Sequence, residues 1–148
     1  MRAALVLLAL AAVLPACDGG FAPPATTPGA IRGTVRYAGP WPPADSLVEV
    51  RFVAMRFVPR DTTDFLQLNN LVFSPQKLRV NVDADAFVVP DVPPGRYVYA
   101  GVAQRYAASL FAWRPVGLVE GAFTVPPGDT ARVTVEVDFR RLPPFPPR

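Results

Sequence analysis

The chain has 148 residues, 51% of them hydrophobic and 18% charged, with a formal net charge of +3; that is enough for one domain with a real core and too little for two. No basic run is interleaved with aromatics, which argues against nucleic-acid binding, and the absence of any histidine removes the commonest general base and metal ligand together. The 19 prolines and 10 glycines fall mostly between apolar runs or at the chain ends, the composition of a protein built from many short strands.

Met1 to Cys17 carries one positive charge, at Arg2, then an apolar run from Ala3 to Val13, then small residues before the sole cysteine. That is the pattern of a secretory signal helix. The run is shorter than the roughly 20 apolar residues a permanent span needs, so a leader is expected rather than an anchor. Leu14-Pro15-Ala16-Cys17 resembles the lipobox of bacterial lipoproteins. The resemblance implies that Cys17 is diacylated through sulfur and becomes the N-terminus after cleavage; Pro15 departs from the residue usual there. A lone cysteine has no internal disulfide partner, and lipidation gives it a role. At about 0.8 kcal/mol per buried methylene, two or three acyl chains hold a protein firmly on a membrane. Asp18 follows the cysteine, and the choice of membrane stays open. Residues 18–29, rich in Gly, Pro and Thr, read as a flexible tether.

Residues 30–38 alternate, with Ile31, Gly33, Val35 and Tyr37 on one face and Arg32, Thr34 and Arg36 on the other, which predicts a half-buried first strand. Residues 46–58 form the longest run; Val48, Val50, Phe52 and Ala54 share a face, and the phase is lost after Ala54, predicting a bulge or bend. Asp61 before Thr62-Thr63-Asp64 reads as an N-cap opening one or two helical turns that end at Asn69-Asn70. Leu71-Val72-Phe73 is a short strand or part of that connection. Residues 77–83 alternate again and predict a strand through Leu78, Val80 and Val82. Residues 86–89 lead into Pro93-Pro94-Gly95-Arg96, where Pro94 and Gly95 suit the two central positions of a type II turn and predict a chain reversal. Residues 96–104 are apolar on both faces, as in an interior strand. Residues 105–114 read as a long loop, and residues 116–125, interrupted by Gly117 and Gly121, as a short edge pair. Val133, Val135, Val137 and Phe139 alternate with Arg132, Thr134, Glu136 and Asp138 in a closing strand. The Pro-rich end, residues 141–148, reads as an extended tail.

About seven strands with turn signals every 8 to 12 residues predict a single all-β, antiparallel, immunoglobulin-like sandwich over residues 30–140, with parallel sheets excluded for want of alternating helices. The opening Gly33-Thr34-Val35, the block Val92 to Tyr99 (VPPGRYVY) and the block Phe123 to Val135 (FTVPPGDTARVTV) resemble the carboxypeptidase regulatory-like, transthyretin-like sandwich family. The resemblance implies a fold and leaves function open. Transthyretin-like folds include hydroxyisourate hydrolase, whose histidine and terminal Tyr-Arg-Gly-Ser this chain lacks, so that activity is ruled out.

Asp83, Asp85 and Asp91 crowd one stretch and are candidate calcium ligands, but Asp-x-Asp spacing without a following Gly and Glu matches solvated loop acids as well. No metal, cofactor or catalytic residue is expected. Trp41, Tyr106, Phe111 and Trp113 lie in predicted loops and are candidate sugar-stacking aromatics; the same side chains also serve to plug the open ends of a sandwich. Arg140, Arg141 and Arg148 around Pro-Pro-Phe-Pro-Pro suit anionic headgroups or a polyproline groove, or a solvated tail. The expected role is a non-catalytic, lipid-anchored envelope protein that binds or scaffolds a protein partner, with polysaccharide binding through the loop aromatics as the alternative.

Overall fold

A computed structural model describes residues 26–147, all-β apart from three short 3-10 turns. The lipobox, Cys17 and all but the last residues of the tether lie outside the described residues. Among the described residues nine strands form: β1 (Gly29–Ala38), β2 (Glu49–Met55), β3 (Leu71–Phe73), β4 (Ala84–Val92), β5 (Gly95–Tyr97), β6 (Tyr99–Arg105), β7 (Trp113–Leu118), β8 (Phe123–Val125) and β9 (Thr130–Asp138). A three-stranded sheet, β4-β1-β9, faces a four-stranded sheet, β3-β2-β6-β7, and β5 pairs with β8 in a small ribbon.

Period-2 burial explains both faces of the main core. Ile31 and Val35 of β1, Phe87 and Val89 of β4, and Val133, Val135 and Val137 of β9 meet Val50, Phe52 and Ala54 of β2, Val102 of β6 and Val116 of β7. The Phe52 and Phe87 rings stack at 4.4 Å across the two layers, and aromatic pairs add about 0.5–1.5 kcal/mol beyond their buried area. Phe87 also lies opposite Gly33 in the β1/β4 register. A methyl on Gly33 would sit 2.3 Å from the Phe87 ring, so the missing side chain makes the space the ring fills.

The half-buried first strand and the closing strand form as their alternation predicts. Their relation does not: β1 and β9 pair in parallel, each residue from Ala30 to Ala38 opposite the one a hundred positions later. The sandwich is therefore not wholly antiparallel. The N-cap forms as expected, Asp61 accepting from the Thr63 backbone N–H at 2.7 Å ahead of a 3-10 turn over Thr62–Leu66, and a second turn runs over Leu68–Asn70 before β3.

Four other expectations are corrected. Residues 77–83 are not a strand: Asn81 takes a left-handed φ of 57°, and only Leu78 reaches the core while Val80 stays exposed. The chain does not fold back as a hairpin at Gly95, whose φ is 138°; β4 and β6 belong to opposite sheets, and the Pro93–Tyr97 corner carries the chain between layers. Within the run 96–104 the ladder breaks at Val98, so Tyr97 points into the main core and Tyr99 into a second cluster. Residues 116–125 do not pair with each other; β7 is an edge strand beside β6, with Val116 bulged out of register, and β8 pairs with β5.

The second cluster covers the outer face of the four-stranded sheet. Val53, Met55, Leu71, Tyr99 and Ala103 form its floor, and Phe65 of the 3-10 turn lies over it. The C-terminal segment is packed rather than solvated: Leu142 lies against the main core and Phe145 reaches the second cluster, its ring 5.5 Å from Phe65.

Candidate binding site

The two ends of the sandwich differ. At one end the chain joins β1 at Gly29, beside Pro126 and Asp129, where the Ala30 N–H donates to the Asp129 carbonyl at 2.9 Å. At the other end lie the start of β2, the end of β6 and the loop Tyr106–Ala112, linked by the Val48 N–H donating to the Arg105 carbonyl at 2.9 Å. This second end holds the exposed aromatics.

The four candidate aromatics do not converge. Trp41 is half-buried between Tyr37 (4.5 Å) and Phe139 (4.6 Å), closing one end of the core as a plug. Tyr106 is exposed, with the Arg114 guanidinium 5.5 Å from its ring centre. Phe111 and its neighbour Leu110 are exposed at the loop tip. Trp113 opens β7 on the outer face of the four-stranded sheet and faces Phe73 at 6.1 Å.

Trp113 belongs to a site the sequence did not indicate. Register places Glu49 opposite Arg105 and Arg105 opposite Trp113, while Arg51 lies opposite Ala103, all on one face. Trp113, Phe73 and Arg51 line a shallow hollow of about 260 Å3. Beside it, Glu49 is 9% exposed and accepts from Arg51 Nε (2.9 Å) and Arg105 Nε (2.8 Å), with Lys77 Nζ at 3.7 Å. Arg51 Nη1 also donates to the carbonyls of Ser74 (2.8 Å) and Pro75 (3.1 Å). Burial opposes ionisation of Glu49, yet the hydrogen bonds and charges of Arg51 and Arg105 outweigh it and hold the carboxyl below its ordinary range. Three cations surround one carboxylate, leaving the patch with net charge +2.

The three candidate calcium ligands do not gather. Asp85 accepts from the Arg79 backbone N–H (2.8 Å), Arg79 Nε (2.9 Å) and the Ala86 N–H (2.9 Å). Burial opposes its ionisation too, but those hydrogen bonds lower its pKa. Asp83 and Asp91 are exposed, and among the described residues no group of three acidic side chains is placed to hold a metal ion. A second cleft, lined by Arg32, Pro75, Phe87, Val88 and Pro90, runs beside the β4 edge. No protein-family model, curated protein or solved structure matches this chain.

Proposed function

We propose that the protein is a non-catalytic, lipid-anchored envelope protein whose sandwich, of the immunoglobulin-like, transthyretin-like kind, presents a binding surface to a partner in the cell envelope. The observation that carries the reading is polarity along the domain. The chain comes in from its N-terminal side at the Gly29 end, and the exposed Tyr106, Leu110 and Phe111 stand at the far end. Acyl chains on Cys17 would hold the first end near lipid and turn the second toward a partner. Seven strands in two facing sheets around one core support the sandwich family. The lack of histidine in the sequence and the saturation of Glu49 by cations support a role in binding rather than catalysis.

The test is fractionation and intact mass. Wild-type protein is expected in the membrane fraction with the mass of added acyl chains, and Cys17→Ser is expected in the soluble fraction. Wild-type protein recovered soluble and unmodified overturns the anchor. A polysaccharide-binding reading is favoured by one separate observation, the half-exposed Trp113 over its hollow.

A further inference from the structure

We infer that the Trp113 hollow binds an acidic sugar, one uronic-acid ring of an anionic polysaccharide, stacked on the indole with its carboxylate toward Arg51 and Lys77. This rests on the binding-module reading and narrows its polysaccharide form; it does not depend on the lipid anchor.

Size, shape and charge each contribute. The hollow, at about 260 Å3, falls below the roughly 300–1,000 Å3 of sites for drug-sized ligands and suits a single ring. Its walls, Trp113 and Phe73, offer flat apolar faces, which a pyranose can match with the C–H side of its ring.

The charge makes the occupant anionic. Glu49 neutralises one of three cations, and it fixes the two arginines: Arg51 is tied by Nε to Glu49 and by Nη1 to two carbonyls, so its guanidinium is held before any ligand arrives. Arg51 Nη2 makes none of these bonds among the described residues, and its N–H groups remain to donate to a ligand carboxylate. Lys77, its side chain 56% exposed, stands on the same Glu49 oxygen and supplies a second, solvent-facing cation. An acidic peptide shares the charge but offers no sugar ring to the indole.

The experiment is calorimetric titration of the purified full-length protein with oligogalacturonate, a neutral oligosaccharide of equal length, and oligoglutamate. Oligogalacturonate is expected to bind, more weakly as salt rises, with the neutral sugar at least tenfold weaker. Lys77→Glu, its folding checked by the melting temperature because it sets a second carboxylate beside Glu49, is expected to lower affinity at least tenfold, and Trp113→Ala to abolish binding. Equal binding of the neutral sugar, tighter binding of oligoglutamate, no binding of oligogalacturonate, or full affinity in Lys77→Glu each overturns the inference. Trp113-dependent capture of oligoglutamate alone would leave the binding-module reading standing while removing the acidic sugar.

Discussion

Tyr97 and Tyr99 stand two residues apart, both at least nine-tenths buried, and the same substitution is expected to move stability in opposite directions at the two. The Tyr97 hydroxyl donates to the Pro93 carbonyl at 2.8 Å. The Tyr99 hydroxyl, in the second cluster, has no partner among the described residues. Tyr97→Phe removes one neutral hydrogen bond, costing about 1 kcal/mol, at the low end because Arg56 Nη2 still donates to Pro93 at 3.1 Å. Tyr99→Phe removes an unpaired buried hydroxyl whose burial costs about 1–3 kcal/mol, partly offset by lost contacts of the oxygen, for a net gain of about 1 kcal/mol. At about 4 °C per kcal/mol for a domain of this size, differential scanning calorimetry should separate the two variants by roughly 8 °C, wild type between them. Burial also pushes the Tyr99 hydroxyl up to about 12. A raised pKa gives stability that is whole below the unfolded value of about 10 and lost as pH rises through the folded one, so Tyr99→Phe should also blunt the alkaline decline. Two shifts of the same sign, or a lower melting temperature for Tyr99→Phe, would refute the assignment of the hydroxyl partners.

Gly101→Ala should destabilise by about 1–3 kcal/mol, because the new methyl would lie 2.1 Å from the Gly117 carbonyl oxygen, which is backbone and has little freedom to give; urea denaturation measures it. Ending the chain after Leu142 removes Phe145 from Phe65 and should cost about 2 kcal/mol, read as a drop of about 1 M in the urea midpoint. With no histidine, thermal stability should be nearly flat from pH 5 to 8. Glu49 and Asp85 have lowered folded pKa values, so their contribution is present above the ordinary carboxylate range near about 4 and is lost as pH falls below it. Melts of Glu49→Gln across pH 2 to 8 should show a shallower acid decline than wild type.

What could be read from residues alone was whatever a period of two decides. Ile31 to Tyr37 and Val133 to Val137 alternate because one face of each strand is buried, and Asp61 announces its cap by side-chain chemistry. Leu78, Val80 and Val82 carry the same signal without the strand, since a single left-handed Asn81 breaks the extended path and alternation cannot report a backbone angle. The parallel partnership of β1 with β9 has no local mark, because pairing across a hundred residues is set by how the layers close. The site was legible only in Trp113. Its companions Arg51 and Phe73 come from β2 and β3 and meet through strand register, and Lys77 reaches Glu49 from the loop after β3, while Trp41, its equal in composition, goes to the core end because Tyr37 and Phe139 flank it.

The pairing of the first strand with the last also orders events in time. While the polypeptide is being made, the Gly29–Ala38 segment has only β4 to hold, and its other edge waits until residues 130–138 have emerged. Closing so long a loop is slow compared with local turns. The domain therefore stays open along one edge of its first strand until residues 130–138 are available, and β9 acts as the clasp that shuts it.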